Sequence, residues 1–165
     1  MSRSVIVCAA SLLFLMSAGS FAVGVDPVAW WSFDRGGDNI ALDKASETND
    51  AIEGKFKSAA GVVGSALKLD GYTTCITREA SKAPKLTGNF TIEAWVAQAA
   101  YAWNWCPIIT QSESGTGDGA KTGYNFAVGP RGEIRLELAV NGQWYSCLSE
   151  DFDLPLRKWI HIAGV

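Results

Sequence analysis

Residues 90–96, FTIEAWV, decide the fold of this chain together with residues 158–165, KWIHIAGV. In FTIEAWV every second residue from Phe90 to Val96 is apolar, which is the period of a β-strand with one buried face. KWIHIAGV places tryptophan and isoleucine around the only histidine, His161, and the sequence stops in mid-strand after Val165. Both stretches predict strands that need a sheet around them, and we expect further chain beyond the C-terminus.

A hairpin centred on Asn141-Gly142 is the best-defined local prediction. Residues 133–140 alternate between an apolar and a charged face, and an Asn-Gly pair favours a two-residue type I′ turn. Directly opposed residues share a sheet face, so the register follows from the turn. The expected opposed pairs are Val140 and Gln143, Leu138 and Tyr145, Leu136 and Cys147, and Ala139 and Trp144. Cys147 is then expected to point inward, whereas Trp144 lies on the other face, either covered by a second layer or offered to a ligand.

The remaining mature chain predicts further short strands and no helix. The expected strands are 28–34, 66–69, 74–78, 107–111 and 124–128, with Asp70-Gly71 as a hairpin turn between the second and third. Residues 34–54, 80–86 and 112–123 are rich in turn formers and predict loops. Short strands at regular spacing between such turns indicate an all-β, two-sheet antiparallel β-sandwich or jelly roll.

The N-terminus has the features of a secretory signal peptide. Arg3 precedes an apolar run and then small residues that end at Ala22, so we expect residues 1–22 to be removed after Ala22. The apolar run is shorter than the roughly 20 residues that a membrane-spanning helix needs. The sequence therefore predicts a secreted protein, extracellular or periplasmic, that does not associate with the membrane once the leader is removed.

The charge and the cysteine content further limit the partners and the covalent or metal sites that this chain can have. The chain has 14 Lys and Arg against 17 Asp and Glu, which argues against nucleic acid as a partner because binding phosphates requires a basic surface. Cys8 leaves with the leader, so Cys75, Cys106 and Cys147 remain. An odd number of cysteines predicts one disulfide, with the pairing open, plus one free thiol, or a partner cysteine supplied from outside this sequence. Their spacing matches no zinc pattern.

Five motifs occur in order along the mature chain. They are W-x-F-D at 31–34, a loop with Asp43, Asn49 and Asp50, G-x-A-L-x-L-D-G at 64–71, F-T-I-E-A-W-V at 90–96 and K-W-x-H-x-A-G at 158–164. Their order and spacing resemble the laminin-G-like, concanavalin A-like jelly-roll domains of secreted proteins. The resemblance implies one such domain over residues 23–165. In that family further strands follow, so it also implies an incomplete copy that lacks its C-terminal strands.

Catalysis is not expected from this chain. Some relatives on this fold are glucanases, whose retaining mechanism uses two carboxyl groups about 5–5.5 Å apart. Their E-x-D-x-x-E pattern does not occur in the sequence. Glu133 and Glu137 share a strand face but lie about 13 Å apart by strand rise. A catalytic domain would have to follow this one.

The sequence gives little support for a metal site or for a catalytic histidine. His161 has no recognisable nucleophile or second histidine, so we expect a packed imidazole that is hydrogen-bonded across the sheet. Calcium is the one metal that the carboxylates suggest, because it prefers oxygen ligands. The candidate calcium ligands are Asp34, Asp43 and Asp70, and their ordinary role as turn formers explains them equally well.

Aromatic residues give the functional prediction. Tyr101, Trp103 and Trp105 fall in a connection after FTIEAWV, and Trp144 lies on the non-core face of its strand. Sugar rings stack on such side chains, so we expect a non-catalytic carbohydrate-binding module, the ancillary N-terminal domain of a larger exported enzyme, with a polysaccharide or glycoconjugate as ligand. In the alternative interpretation Trp103 and Trp105 only plug one end of the sandwich. The alternative function is an extracellular protein-interaction or adhesion module that acts through a sheet edge or loops.

Overall fold

The computed structural model describes residues 26–34, 38–112 and 122–165. The predicted signal peptide and most of the glycine-rich loop at 112–123 lie outside these residues. All regular elements in the described part are β-strands, and every paired strand is antiparallel, so the predicted all-β antiparallel class is confirmed. The described residues contain no helix with the length and apolar character needed to cross a membrane.

The described strands follow one another with short connections. They are β1 (Ile40–Asp43), β2 (Thr48–Glu53), β3 (Phe56–Ala60), β4 (Ser65–Leu69), β5 (Cys75–Thr77), β6 (Ile92–Val96), β7 (Cys106–Ser112), β8 (Gly123–Val128), β9 (Ile134–Val140), β10 (Gln143–Leu148) and β11 (Ile160–Gly164). Hydrogen bonds join them into sheets of order β1-β2-β5, β10-β9-β8-β7, β11-β6 and β3-β4. The stretches FTIEAWV and KWIHIAGV thus pair directly as β6 and β11.

The main core lies between the β6–β11 pair and the four-stranded sheet. Phe126 of β8 and Leu136 of β9 are directly opposed and buried, and Ile162 of β11 packs against them. Gly164 lets the layers approach, because a Cβ there would lie 3.0 Å from Leu136 Cδ2. The alternation in FTIEAWV places Ile92, Ala94 and Val96 on this core. The two layers form the β-sandwich that the sequence predicts.

The β9–β10 hairpin has the predicted turn and register. Asn141 and Gly142 have φ of 53° and 77°, as a type I′ turn requires. All the expected opposed pairs are found, including Leu136 with Cys147 and Ala139 with Trp144. The expectation that Cys147 points into the core is wrong, because its side chain is exposed. β10 is the edge strand of its sheet, and the buried core residues come from β8, β9 and β11.

The N-terminal third differs most from the sequence prediction. Residues 28–34 do not form a regular strand; Trp31 makes only an isolated bridge to Asp43, and Phe33 has φ of 57°, which interrupts an extended chain. The predicted loop at 34–54 instead contains the hairpin of β1 and β2. Asp43 and Asp50, which suggested turns, are buried strand residues. Their carboxylates pair with a distant arginine, and this tertiary contact outweighs the local preference.

Asp70-Gly71 does not form the expected hairpin turn. β4 pairs with β3, and β5 pairs with β2, so the strands on either side of Asp70 belong to different sheets. Asp70 accepts hydrogen bonds from the backbone amides of Tyr72, Thr73 and Thr74. This carboxylate closes a local loop that leads the chain from one sheet to another. The strand assignments on both sides are nevertheless confirmed as β4 and β5.

Candidate functional site

The outer face of the four-stranded sheet carries a row of polar side chains. Thr110 of β7, Asn125 of β8, Glu137 of β9 and Ser146 of β10 are opposed across the strands, and we call this set the polar row. Neighbouring residues in a strand point to opposite faces. Phe126 and Leu136 point into the core, so Asn125 and Glu137 belong to the face away from it.

Glu137 organises the centre of the polar row. Its Oε2 accepts a hydrogen bond from Asn125 Nδ2 at 2.9 Å and forms an ion pair with Arg135, whose Nη2 lies 3.1 Å away. Asn125 is only 6% exposed. Within the described ranges, Asn125 Oδ1 and Arg135 Nε are buried without a hydrogen-bond partner. Buried donors and acceptors without hydrogen-bond partners are rare in folded proteins. Each has lost its hydrogen bonds to water on burial, and no new hydrogen bond compensates for that loss.

Trp105 packs on this face to one side of the polar row. The Cζ of Arg135 lies 3.9 Å from the centroid of the Trp105 ring, close enough for a cation–π contact. Gly129 provides room, since a Cβ there would lie 2.9 Å from the Trp105 ring. Trp105 is half-buried. It therefore covers part of the outer face of the sheet beside Arg135. Whether Trp103 and Trp105 also plug one end of the sandwich stays a prediction.

The connection before β7 carries the other predicted aromatics. Tyr101 lies against the turn between β8 and β9, because a Cβ on Gly132 would lie 3.1 Å from its Cε1. Trp103 is 85% exposed. Tyr101 and Trp105 thus meet the same turn region, and Trp103, between them in sequence, projects into solvent.

Trp144 lies on the same sheet face, on the other side of the polar row. It is half-buried and directly opposite Ala139 of β9. Ala139 follows Arg135 by four residues, which is about 13 Å along a strand. The structure therefore brings Trp105 and Trp144 to the two ends of one face, with Asn125 and Glu137 between them.

The polar row itself was not selected as a site from sequence. The available signal was the charged face of residues 133–139, which alternates with the apolar face of the same strand. Sequence could not show that Asn125 lies beside Glu137, because their proximity depends on the pairing of β8 with β9.

His161 and Trp95 form a second surface cluster, on the outer face of the β6–β11 pair. The expectation of a packed imidazole is wrong, because the His161 side chain is 42% exposed. Its ring centroid lies 5.2 Å from that of Trp95, which it opposes across the strands, and its Nε2 lies 3.4 Å from Glu93 Oε2. The contact across the sheet is thus present, but on the face away from the core.

Asp43 belongs to a buried ionic cluster with Asp50 and Arg78. Arg78 Nη1 donates to Asp43 Oδ2 at 2.9 Å, and its Nε and Nη2 donate to the two oxygens of Asp50. Burial alone would raise the pKa of Asp43, but hydrogen bonds from Ser46, the Trp30 amide and Arg78 outweigh it and lower the pKa to about 2. Two buried carboxylates therefore share one guanidinium.

Asp34 and Asp70 accept hydrogen bonds at the surface. The Lys44 ammonium, the Ser32 side chain and the Ser65 amide lower the pKa of Asp34 to about 2. The Thr73 hydroxyl and the amides of Tyr72 and Thr73 hold the pKa of Asp70 well below its usual range. Each of these carboxylates is already engaged by donors, so a calcium ion would have to displace them.

The three candidate calcium ligands are not gathered into one site. No group of three or more His, Cys, Asp or Glu suited to a metal ion occurs in the part of the chain that the structure describes. Calcium binding at Asp34, Asp43 or Asp70 stays a prediction.

The cysteines do not form the expected disulfide. Cys75 and Cys106 carry exposed free thiols, and among the described residues no disulfide joins Cys147 to either of them. Cys106 on β7 and Cys147 on β10 lie on opposite edges of the four-stranded sheet. Three strand spacings separate these edges by about 14 Å, too far for a disulfide.

Comparison with known protein families matches this chain to one family. A laminin G-type family model, described as the concanavalin A-like lectin/glucanases superfamily, matches residues 69–165. This span runs from the end of β4 to the last strand and includes the polar row, Trp105 and Trp144. Comparison with curated proteins and with solved structures gives no match.

Proposed function

Because the chain belongs to the concanavalin A-like lectin/glucanase superfamily, we propose that it is a non-catalytic carbohydrate-binding module of a secreted protein. The observation that carries the proposal is the placement of Trp105 and Trp144 on one sheet face, on either side of the polar row. Trp103, two residues before Trp105 and 85% exposed, offers a further aromatic ring in the adjoining connection. We define the binding face by Trp103, Trp105, Trp144 and the polar row, with Tyr101 at its edge.

The chemistry of the binding face suits a sugar chain. Aromatic rings offer rigid apolar area for the CH faces of sugars, and a few placed polar groups fix the orientation of a ligand. Trp105 and Trp144 supply the first kind of contact, and Asn125 and Glu137 the second. Trp105 packs on Arg135 and Trp144 lies opposite Ala139, and these two positions of β9 are about 13 Å apart by strand rise. A face with aromatic contacts at both positions would contact more than one sugar residue, which favours a polysaccharide or a glycoconjugate.

The two glutamates near the binding face, Glu133 and Glu137, are not arranged for hydrolysis in this proposal. Glu137 is engaged by Asn125 and Arg135, and Glu133 accepts hydrogen bonds from the Arg131 amide and guanidinium. A retaining hydrolase needs two carboxyl groups about 5–5.5 Å apart around the bond to be cleaved. Glu133 precedes β9 and Glu137 lies within it, four residues later. Together with the predicted signal peptide at 1–22, this supports an exported module that binds substrate for a catalytic domain elsewhere.

Binding to a panel of immobilised polysaccharides tests the proposal. The full chain is expected to be retained by at least one of them, and Trp103→Ala combined with Trp144→Ala is expected to release it. Tyr72→Ala is the matched control, because Tyr72 is an equally exposed aromatic at 90% but lies in the loop after β4. Retention of the double variant at the wild-type level would contradict the proposal, as would failure of every polysaccharide to retain the wild type.

One observation favours the alternative, an extracellular protein-interaction or adhesion module. β10 is the edge strand of its sheet, and Tyr145 and Leu148 on it are about half exposed. Exposed edges of this kind can accept a strand from another polypeptide. A protein partner whose binding is lost in Tyr145→Lys, but kept in the Trp103 and Trp144 variant, would support this alternative over the glycan proposal.

A further inference from the structure

We infer that the polar row and the adjoining Arg135 recognise a neutral sugar, through hydroxyl groups that donate to Asn125 Oδ1 and accept from Arg135 Nε. This inference rests on the proposed function and names the class of ligand for the binding face. Three buried side-chain polar atoms have no hydrogen-bond partner in the described part of the chain, and two of them, Asn125 Oδ1 and Arg135 Nε, lie together on the outer face of the four-stranded sheet.

The two atoms are complementary to a hydroxyl-rich ligand. Oδ1 of Asn125 is an acceptor, and Nε of Arg135 carries a hydrogen that needs an acceptor. A hydroxyl group can donate and accept, so adjacent hydroxyls on one sugar satisfy both atoms. An apolar ligand would leave both atoms unpaired, at the cost that buried polar groups carry.

The charge of the polar row argues for a neutral sugar. The guanidinium of Arg135 already pairs with Glu137 at 3.1 Å, so its positive charge is balanced within the site. A uronate or sulfate group beside Asn125 would lie next to the Glu137 carboxylate, and like charges at this distance repel. The chain as a whole also carries a formal net charge of −3. Both facts disfavour an acidic polysaccharide.

Glu137 fixes the orientation of the two recognising groups. Because its Oε2 accepts from Asn125 Nδ2, the other end of that amide, Oδ1, is left as the acceptor. Because Oε2 also pairs with Arg135 through Nη2, Nε of the same guanidinium is not used in this ion pair. Glu137 is therefore a positioning residue for both.

The Trp105 ring lies between a ligand on this face and the Arg135 guanidinium. The Trp105 ring lies over the guanidinium at 3.9 Å from its centroid to Cζ, and both unpaired atoms are covered in this structure. A sugar that reaches Nε must turn this ring aside, after which the ring is available to stack on the sugar. Binding is then expected to change tryptophan fluorescence, and Trp105→Phe is expected to lose most of the change.

The experiment compares neutral and acidic probes in solution. The full chain is titrated with laminarin and xyloglucan as neutral polysaccharides and with polygalacturonate and heparin as acidic ones. Each titration is done at about 50 mM and about 500 mM salt, since added salt weakens only the attraction between charges. We expect binding of a neutral probe with a Kd that changes less than about twofold between the two salt concentrations.

Two variants test the named atoms. Asn125→Leu keeps the approximate size but removes Oδ1 together with the Nδ2 that donates to Glu137. Arg135→Lys keeps the charge but removes Nε. Each is expected to weaken binding of the neutral probe roughly tenfold, the usual effect of losing one buried hydrogen bond. Arg131→Lys is the matched control, because Arg131 also pairs with a glutamate but has a side chain that is 82% exposed. Thermal unfolding of Asn125→Leu is expected to have a midpoint close to that of the wild type, because the variant removes the unpaired Oδ1 but also the hydrogen bond to Glu137. A cooperative transition there shows that the fold is kept.

The outcomes separate this inference from the proposed function. If no probe binds, both are overturned. If only an acidic probe binds, and added salt weakens that binding, the proposed function stands and the inference fails. If a neutral probe binds equally well to wild type, Asn125→Leu and Arg135→Lys, the inference is again overturned while the proposed function stands.

Discussion

Arg78 holds Asp50 through two parallel hydrogen bonds, from Nε to Oδ1 at 2.8 Å and from Nη2 to Oδ2 at 2.6 Å. The same guanidinium donates to Asp43 through Nη1, and Trp31 donates to Asp50 through its indole nitrogen. The Arg78 and Asp50 side chains are 9% and 2% exposed. This buried cluster connects β2 with β5 and with the start of the described chain.

Replacement of Arg78 by methionine is expected to destabilise the protein strongly. Methionine fills most of the space but leaves Asp43 and Asp50 buried without their cation. Breaking a buried ion pair in this way costs about 3–5 kcal/mol. The free energy of unfolding from denaturant titration measures the loss. Lys44→Met, which removes an exposed ion pair with Asp34, serves as the control and should cost less than about 1 kcal/mol. Equal losses in the two variants would contradict the account.

Stability is expected to fall as the pH drops from about 4 to about 2. The pKa of Asp43 is lowered from 3.8 to about 2 in the folded protein. A carboxylate with a lowered pKa stabilises the fold above its unfolded pKa, and this contribution is lost as the pH falls through its folded pKa. For Asp43 the contribution is on the order of 2 kcal/mol.

Asp43→Asn tests this pH dependence. The variant should be less stable at neutral pH, and its unfolding free energy should depend less steeply on pH in the same window. Asp34 and Asp70 also have a lowered pKa, so part of the slope will remain. The measurement is a series of denaturant titrations at different pH values. Parallel curves for the wild type and Asp43→Asn would show that Asp43 is not responsible.

Gly142→Ala is expected to destabilise the β9–β10 hairpin by about 1–2 kcal/mol. Gly142 has φ of 77°, and a Cβ there would meet nothing within 4 Å, so the cost comes from the backbone conformation alone. Thermal unfolding and amide hydrogen exchange of β10 measure the effect. Gly142→Asn is the matched control and should cost less, because asparagine tolerates this conformation better than alanine. An alanine variant as stable as the wild type would contradict the type I′ turn.

Cys75 and Cys106 are expected to react with a thiol reagent in the folded protein. Both thiols are exposed and free, so an alkylating reagent should modify them without denaturant. Mass spectrometry of the labelled protein identifies the modified residues, and Cys75→Ser should reduce the labelling by one group. A native mass that reveals a disulfide between Cys75 and Cys106 would contradict the described arrangement.

The candidate site was predicted from sequence only in part. Trp144 could be placed on the outer face because the Asn141-Gly142 turn sets the register of its strand. Trp105 could be placed in the connection but not over Arg135, since that contact depends on how the connection returns to the sheet. The polar row depends on the pairing of β8 with β9 and was not predicted as a site.

The sequence by itself determined what short-range patterns control. The alternation in FTIEAWV set which residues of β6 face the core, and the Asn-Gly turn set every pair of the β9–β10 register. Both depend on residues a few positions apart, where the strand period and turn conformations leave few alternatives.

Only the tertiary structure decided what distant residues control. Asp43 and Asp50 became strand residues because Arg78, which is 35 and 28 positions later, neutralises them in the interior. Cys147 lies opposite Leu136 as the register predicts, yet it is exposed because β10 lies at an edge of its sheet. Burial and charge pairing are properties of the assembled layers, and the local pattern of a strand does not contain them.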